Sequence, residues 1–321
     1  MNAGSVYPSL EATAGLSAKR SLHLAIGMFD GVHLGHRAVI EAAVRSARRS
    51  GGLAAVLTFD PHPSQLFRPE NPVRLIMDCD RRTQALLALG VDAVIVQPFD
   101  AAFAALEADA LLPYLRARLA GLHTVYVGEN WRFGKGRKGD VALLVAEAKK
   151  NRLHVVSAPR INSDGEPISS TRIRGLITEG AIDAANVLLG AAYASEGVVR
   201  PGKRLGRTIG FPTLNLPWQP DLIPRLGVYV ARVLPLSSPH NVVSKAGLQA
   251  VANYGLRPTV EQTSAPQLEV HVLGECPFGE GDALWVEWLF FLRPEQKFEG
   301  VEALRAQITL DREAARAWWK R

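Results

Sequence analysis

The chain has 321 residues, of which 47% are hydrophobic and 21% charged, and its formal net charge is +6 with a pI near 9.5. This composition fits a globular protein of one or two domains and excludes a disordered or fibrous chain. The two cysteines lie far apart, which excludes a disulfide framework and a cysteine-based zinc site. Residues 1–20 lack an apolar leader segment and no apolar stretch is long enough to cross a bilayer, so we expect a cytoplasmic protein without a membrane partner.

The first half of the chain alternates strand-like and helix-like segments. Apolar runs predict strands at residues 22–27, 53–59, 93–99, 124–128 and 153–159, and helical spacing predicts helices at residues 36–50, 81–89, 101–120 and 141–151. This alternation is typical of a parallel, doubly wound α/β sheet. Ligands of such sheets bind beyond the carboxyl ends of the strands, so we expect a site where residues 27–36, 58–63 and 127–134 follow their strands.

The segment 27–36 carries the strongest functional signal. His33 and His36 lie three residues apart at a strand-to-helix turn, where free N–H groups and the helix dipole favour phosphate. Gly31 and Gly35 let the backbone approach a ligand closely. Two histidines among glycines have little structural use at such a turn, and a zinc site would lack a third ligand nearby. We therefore predict a nucleotide phosphate site that is neither a Walker loop nor a dinucleotide fingerprint.

A predicted helix start supplies further polar groups. Ser169, Ser170 and Thr171 open this helix, where their hydroxyls either cap it or bond a phosphate. Arg172 and Arg174 follow and can neutralise negative charge. The sequence alone leaves the capping and binding roles open.

Aromatic and polar residues follow two other predicted strands. Asn130 can donate to and accept from a ligand, and the rings of Phe59 and Phe133 either stack on a planar ligand or belong to the core. His62 lies between two prolines, where it either contacts a ligand or fills a rigid turn. These residues are therefore candidates for a ring-binding region.

From about residue 190 the pattern changes. Residues 228–234, 247–252, 268–273 and 284–292 are strand-like and separated by Gly and Pro turns, and helical spacing returns only from residue 301. This pattern predicts a compact antiparallel barrel that is closed by a C-terminal helix.

A second candidate site lies in this half. Thr213 and Asn215 are two residues apart and face one side of an extended segment, where a hydroxyl and an amide oxygen could share Mg²⁺ with ATP phosphates. Pro212 restricts the chain before them. Glu269 is a charge within an apolar strand, so it is either a general base in a cleft or an exposed surface charge.

Taken in order, these segments resemble those of the prokaryotic bifunctional riboflavin kinase/FMN adenylyltransferase (FAD synthetase) family. The likeness extends from about residue 22 to about residue 318, with adenylyltransferase segments at 27–36, 58–63, 127–134 and 169–174 and kinase segments at 210–215, 227–229, 252–255 and 268–271. The resemblance implies a Rossmann-like nucleotidyltransferase domain with a parallel sheet at residues 1–186. It implies a riboflavin-kinase-like antiparallel barrel with a C-terminal helix at residues 187–321.

The resemblance also implies two reactions. The barrel would transfer the γ-phosphate of ATP to riboflavin, with Glu269 as the base and Mg²⁺ held near Thr213 and Asn215. The first domain would join FMN to the AMP of a second ATP and release pyrophosphate, with His33 and His36 at the reacting phosphates. The implied partners are small-molecule substrates and no nucleic acid, and homo-oligomerisation is left open.

The resemblance extends to binding residues. The implied nucleotide-binding residues are Gly27, Phe29, Asp30, Gly31, Gly35, Ser169, Ser170, Thr171, Arg174, Gly210 and Pro212, and the implied flavin-binding residues are Phe59, Pro61, His62, Asn130 and Phe133. Two positions depart from the family's usual residues. Leu214 replaces a common alanine and is a bulkier neighbour for the ATP site, and Leu205 replaces a common basic residue.

Three alternatives compete with this interpretation. A nucleotidyltransferase for another phosphorylated acceptor, with a degenerate barrel, would leave Glu269 without a purpose. A flavin-sensing module that has lost catalysis is disfavoured because Thr213 and Asn215 are retained. An RNA-binding protein would show a basic cluster, whereas the positive charge is spread along this chain.

Overall fold

The computed structural model of the chain describes residues 4–16, 19–202, 206, 209–236, 247–256 and 266–321. The chain divides into two compact units, Met1–Ser170 and Thr171–Arg321. The predicted boundary between residues 186 and 187 differs from this division, which places residues 171–186 in the second unit. The boundary therefore stays a prediction. Leu205 lies outside the described residues.

The first unit is built on a parallel sheet. Its strands are β1 (Ser5–Tyr7), β2 (Leu22–Ile26), β3 (Leu53–Asp60), β4 (Ala93–Pro98), β5 (Leu122–Gly128), β6 (His154–Ala158) and a small hairpin of β7 (Asn162–Ser163) and β8 (Glu166–Pro167); its helices are α1 (Leu34–Ser50), α2 (Pro63–Phe67), α3 (Cys79–Ala88), α4 (Ala101–Ala104), α5 (Leu111–Arg118) and α6 (Val141–Lys150). The first six strands pair in parallel in the order β1-β4-β3-β2-β5-β6. The predicted parallel α/β sheet is therefore confirmed.

The strand order sets the position of the ligand site. β3 and β4 lie on one side of β2, and β5 and β6 lie on the other, so the direction of winding reverses at β2. The crevice beyond the carboxyl ends of β2 and β5 is thus the topological switch point, where ligands of open α/β sheets bind. Both faces of β2 are covered: Leu24 packs into one core cluster, and Ala25 packs with Ile40 of α1 into another.

Several elements of the first unit differ from the prediction, which also lacked α2 and the β7–β8 hairpin. Residues 5–7, to which we assigned no element, form an edge strand that pairs Ser5 with Ala93. The single helix predicted over residues 101–120 is wrong, because α4 ends at Ala104 and α5 begins at Leu111. Pro113 explains the interruption: it lacks an N–H and is tolerated only in the first turn of a helix, which is its position in α5.

The second unit is antiparallel. It contains α7 (Ser170–Glu179), which starts at the last residue of the first unit, α8 (Ile182–Leu189), β9 (Tyr193–Val198), β10 (Leu214–Leu216), β11 (Gly227–Pro235), β12 (Leu248–Gly255), β13 (Gln267–Val272), β14 (Ala283–Pro294) and α9 (Val301–Trp319). The strands pair in the order β10-β13-β12-β11-β14-β9. The sheet curls until its edges meet, since a Cβ on Gly197 of β9 would lie 3.6 Å from the Cβ of Leu216 in β10. This confirms the predicted barrel with a C-terminal helix.

The two faces of this sheet have different cores. Trp288 is fully buried inside the barrel, where its ring centroid lies 4.6 Å from that of Tyr229 and 5.6 Å from that of Tyr254, and its Nε1 donates to Ser195 Oγ. Burial raises the pKa of Tyr254 to about 12. On the other face, Ala315 of α9 belongs to a cluster with Val230. In the part of the chain that the structure describes, no helix combines the length and apolarity needed to cross a membrane.

Candidate active sites

The turn between β2 and α1 has an unusual backbone. Phe29, Gly31 and Val32 have φ angles of 51°, 83° and 40°. Such values suit glycine but carry strain for Phe29 and Val32, and strain of this kind concentrates at functional sites. Phe29 is 2% exposed, and a Cβ on Gly27 would lie 2.9 Å from its ring. Close packing between Gly27 and Phe29 therefore defines the shape of the turn.

The two histidines of this turn lie side by side. His33 caps the N-terminus of α1, where its Nδ1 accepts a hydrogen bond from the His36 N–H at 3.3 Å. The two rings stack with centroids 3.5 Å apart, and the edge of His36 meets Phe29 at 5.3 Å. A Cβ on Gly35 would lie 3.1 Å from His33 Cε1. With Nδ1 accepting, the ring proton of a neutral His33 is on Nε2, where it can donate to an anion.

Asp30 connects this turn to other segments. Its carboxylate accepts hydrogen bonds from the N–H groups of Ile76 and Met77 at 3.0 to 3.1 Å, and the side chain is almost completely buried. Its carbonyl oxygen accepts from Ser170 Oγ at 2.9 Å. Asp30 thus positions the turn against the segment before α3, and Ser170 joins the same network. The sequence predicts that Asp30 and Ser170 bind nucleotide, whereas these hydrogen bonds connect each of them to backbone groups of the protein.

The end of β3 presents the segment 59–62. Phe59 is 9% exposed and packs against Phe99 and Phe103 with centroids 5.8 and 5.4 Å away, which places most of its ring in the core. Pro61 is exposed. His62 caps α2, where its Nδ1 accepts from the Ser64 N–H at 3.0 Å. Among the residues predicted for this segment, Pro61 is the most accessible.

A buried arginine that the sequence analysis missed supports this segment. Arg82 of α3 is fully buried, its Nη2 donates to the Phe59 carbonyl at 3.0 Å, and the same atom lies 3.7 Å from Asp60 Oδ1. Its position was detectable, because Arg82 precedes the buried Leu86 by one helical turn and therefore shares the apolar face of α3. A buried guanidinium in such a place holds the end of β3 in position.

The end of β5 presents an exposed amide beside stacked rings. Asn130 is exposed, and its Nδ2 donates to Glu129 Oε1 at 3.4 Å. The rings of Trp131 and Phe133 stack with centroids 4.6 Å apart, while Phe133 is 7% exposed. Because β5 neighbours β2 in the sheet, these residues share the carboxyl edge with the histidine turn.

The remaining predicted residues of the first reaction lie around the start of α7. Ser169 is partly buried and directly precedes this helix. Thr171 is exposed and Arg174 is partly buried, and both lie on α7 within the second unit. Ser170 is therefore connected to the turn that carries His33 and His36 by its hydrogen bond to the Asp30 carbonyl.

In the second unit, strand pairing brings separate polar residues into one row. Asn215 of β10 stands opposite Glu269 of β13, and Glu269 stands opposite Asn253 of β12. Residues that stand opposite each other share one face of a sheet. All three are partly buried, whereas Val270 is fully buried on the other face. Glu269 therefore lies between two amides, an environment that spacing alone left open.

Asn253 is a candidate that we missed as a site residue. The signal was present, because it is the polar residue within the apolar stretch of β12, where Ala252 and Tyr254 on either side of it are buried. Its relevance follows only from the register that places it opposite Glu269.

A cavity of about 630 Å³ lies beside this row. Its lining includes Gly210, Pro212, Thr213, Leu214, Asn215 and His271. Gly202 packs so closely against the Asn215 amide that a Cβ there would lie 2.6 Å from Asn215 Cγ. Leu214 pairs with Val270 and is 8% exposed, so alternation directs its side chain to the face opposite Asn215.

A parallel α/β unit with two stacked histidines at its switch point, followed by a barrel with a polar cavity, indicates a two-domain enzyme of phosphate chemistry. A profile described as FAD synthetase matches residues 16–172, and one described as riboflavin kinase matches residues 189–319. The chain is 36% identical over 299 residues to a bifunctional riboflavin kinase/FMN adenylyltransferase from Listeria monocytogenes, and 35% identical over 296 residues to one from Escherichia coli. In both comparisons 92% of each chain is covered.

The chain belongs to the bifunctional riboflavin kinase/FMN adenylyltransferase family, and it is an enzyme of flavin cofactor biosynthesis. ATP, riboflavin, FMN and FAD are the substrates and products that this family implies. The crystal structure of a protein from Streptococcus pneumoniae, titled a macrolide-efflux protein, has the same architecture, with a TM-score of 0.83, 28% identity, and coverage of 98% of this chain and 99% of that one.

Proposed function

We propose that the histidine turn after β2 performs the adenylyl transfer. The stacked pair of His33 and His36 at the N-terminus of α1, located at the switch point of the sheet, supports this assignment most strongly. An FMN phosphate oxygen attacks the α-phosphorus of ATP, the bond from that phosphorus to the bridging oxygen breaks, and pyrophosphate leaves. Because the FMN phosphate is already an anion, it needs no general base. The histidines and the positive end of the α1 helix dipole stabilise the negative charge that gathers at the phosphates.

The other predicted residues of this site receive supporting roles. Nucleotide binding is assigned to Gly27, Phe29, Asp30, Gly31, Gly35, Ser169, Ser170, Thr171 and Arg174, and flavin binding to Phe59, Pro61, His62, Asn130 and Phe133. Asp30 and Phe29 act by holding the turn, as their burial and contacts favour. The exposed Pro61 and Asn130 are the best placed of the flavin-binding set to touch a ligand.

We propose that the polar row in the second unit performs the kinase reaction. The 5′-hydroxyl oxygen of riboflavin attacks the γ-phosphorus of ATP, the bond to the β–γ bridging oxygen breaks, and ADP leaves. Glu269 accepts the hydroxyl proton, and Asn253 and Asn215 lie opposite it on either side in the sheet. Gly210 and Pro212 line the cavity that receives the nucleotide. Positioning and charge stabilisation dominate a reaction of this kind.

We further propose that the kinase site uses Mg²⁺. The donors fit this ion: Thr213 and Asn215 offer neutral oxygens at one cavity, and Mg²⁺ is commonly held by few protein oxygens together with substrate phosphates. No group of three or more His, Cys, Asp or Glu side chains suited to a metal occurs among the described residues. When bound, the ion would neutralise phosphate charge, while Thr213 and Asn215 hold it beside Glu269.

Separate assays of the two half-reactions test these assignments. Conversion of FMN to FAD and conversion of riboflavin to FMN are measured by chromatography with ATP and Mg²⁺. We expect His33→Ala to lower the first conversion strongly and Asn215→Ala to lower the second strongly, with each variant keeping the other activity. The exposed His154 serves as a matched control, because His154→Ala removes an imidazole away from the turn. Undiminished FAD synthesis by His33→Ala would refute the first assignment, and normal FMN formation by Asn215→Ala would refute the second.

We also propose that the protein works in the cytoplasm, because both proposed reactions consume ATP. The proposed substrates are small molecules. We retain residues 1–186 and 187–321 as the proposed domains. This boundary lies within α8, and Asn186, just before it, donates to the Trp288 carbonyl of the barrel. Expression of residues 187–321 beside residues 171–321 therefore tests it: equal riboflavin kinase activity of the two fragments would support the boundary, and activity in the longer fragment alone would refute it.

A further inference from the structure

One arginine of the C-terminal helix lines the kinase cavity. Arg312 of α9 borders it together with Thr213 and Asn215. The carbon at the centre of its guanidinium lies 5.3 Å from the ring centroid of Phe211, a residue of the same segment as Thr213. A cation over an aromatic face is held in place without an anionic partner. Arg312 is thus fixed at the wall of the cavity.

The hydrogen bonding of Arg312 is incomplete. Its Nε is buried and has no hydrogen-bond partner, and Arg312 forms no ion pair with another described residue. Other arginines of this unit differ: Arg293 forms two bonds to Asp311 at 2.8 and 2.7 Å, and Arg232 contacts Glu287 at 2.6 Å. Leaving a buried donor unsatisfied destabilises a protein, so such a group calls for an explanation, and a bound ligand is one.

The surroundings identify the chemistry of that ligand. Arg200 also lines the cavity, and the described lining contains one carboxylate, that of Glu280. The planar guanidinium presents donors that match phosphate oxygens, and these charge-assisted bonds are stronger than neutral ones. Thr213 and Asn215, which the proposed kinase mechanism places at the phosphates of ATP, lie on the same wall.

We propose that Arg312 binds the phosphates of ATP in the kinase site. This inference rests on the proposed use of the cavity as the ATP site of the kinase. Phe211 holds the guanidinium while the guanidinium N–H groups bond phosphate oxygens, so that α9 contributes a binding residue to a site otherwise formed by β10, β13 and their loops. Arg312 contributes to nucleotide affinity, and Glu269 retains the proton transfer.

Steady-state kinetics of Arg312→Met in the full-length enzyme tests the proposal. Loss of a charge-assisted contact is expected to raise KM for ATP in FMN formation by about 10- to 100-fold, with KM for riboflavin unchanged. Calorimetric titration with ADP should show a similar loss of affinity. Arg312→Lys should recover part of it, because the ammonium keeps the charge but not the fork of donors.

Two controls separate a binding role from a structural one. Arg316 lies one turn further along α9 and donates to the Leu273 carbonyl at 3.0 Å, so Arg316→Met perturbs the same helix without removing a cavity group. Conversion of FMN to FAD by the first unit reports on the integrity of each preparation. An unchanged KM for ATP in Arg312→Met, or an equal rise in both Arg312→Met and Arg316→Met, would overturn the proposal. If Asn215→Ala still lowers the kinase reaction strongly in that case, the proposed function stands and only the role of Arg312 fails.

Discussion

The two sites hold their functional groups in different ways. In the first unit, one continuous turn from Gly27 to His36 carries the histidines, and the strained backbone at Phe29 and Val32 sets its shape. In the second unit, Asn215, Glu269 and Asn253 come from three strands, and only the register of the sheet brings them together. The geometry of the turn depends on its own sequence and on the residues that contact it, whereas the geometry of the row depends on the register of each strand pair that forms it.

The largest expected effect tests the row at its centre. Glu269→Gln keeps the shape and hydrogen-bonding capacity of the side chain but removes the proton acceptor. The turnover number for FMN formation should fall by about 10²- to 10⁴-fold, the usual range for general-base catalysis. Steady-state assays with riboflavin and ATP measure it, and FAD formation from FMN should not change.

Gln267 provides the matched control for Glu269. It is exposed two residues earlier on β13 and therefore lies on the same face. Gln267→Ala should leave FMN formation near its original rate. A Glu269→Gln variant that retains full turnover would show that the row does not supply the base.

The second expected effect tests the turn. His33→Ala removes both the cap of α1 and a donor to phosphate. Loss of one such donor typically lowers turnover by about 10²- to 10³-fold, and we expect this for FAD formation. His33→Asn separates the two roles, because asparagine caps helices well. If His33→Asn restored full activity, the contribution of His33 would be structural.

The sequence was sufficient for the turn because its parts are contiguous. Glycines, two histidines, a preceding apolar run and a following helical pattern lie within one short segment, so the local structure could be predicted; the phosphate chemistry of the turn stays a prediction. The parallel sheet and the antiparallel barrel also followed from the patterns of alternation. The edge strand β1 and the break before Pro113 did not, because short edge strands and helix interruptions depend on tertiary pairing.

The row in the second unit was predictable only in pieces. Thr213, Asn215 and Glu269 were identified as candidates, but the neighbours of Glu269 were not, since register is a property of the folded sheet. Asn253 was missed for this reason. Arg312 was missed because the packing of α9 beside the cavity is also a property of the fold, and Arg82 because a buried arginine is uncommon. Conversely, the structure gives Asp30 and His62 backbone bonds that the sequence alone could not distinguish from ligand contacts.

A third prediction tests how closely the row is packed. Gly202→Ala places a methyl group against the Asn215 amide and must displace it. A misplacement of about 1 Å can lower catalysis by about 10²-fold, so FMN formation should fall by up to this factor. Gly279→Ala is the matched control, because Gly279 lines the same cavity and a Cβ there meets nothing within 4 Å. Equal activities of the two variants would contradict the assigned role of Asn215.

A fourth prediction tests the support of the turn. Asp30→Asn replaces one carboxylate oxygen, which accepts from a backbone N–H, with a donor. Leaving such groups unsatisfied costs about 1–3 kcal/mol, and we expect the free energy of unfolding to fall by that amount. Urea denaturation of the variant measures it. Asp80→Asn on the exposed surface of α3 should change stability much less; a similar loss in both variants would show that general charge, and not the Asp30 network, is responsible.

The smallest expected effect concerns the amino end of the same sheet, opposite the turn. His23 of β2 is 4% exposed, and its ring nitrogens contact Tyr126 Oη and Ser50 Oγ, each at 3.0 Å. Burial lowers the pKa of His23, and the charges of His123 and Arg49 lower it further.

This shift makes stability depend on pH. In the unfolded chain the pKa of His23 has its ordinary value of about 6.5, so the unfolded chain binds more protons than the folded chain, and stability falls as the pH drops through that value. Thermal unfolding between about pH 7.5 and pH 5.5 should therefore show a smaller pH dependence in His23→Gln than in the original protein. Parallel curves for the two proteins would show that His23 does not contribute to this pH dependence.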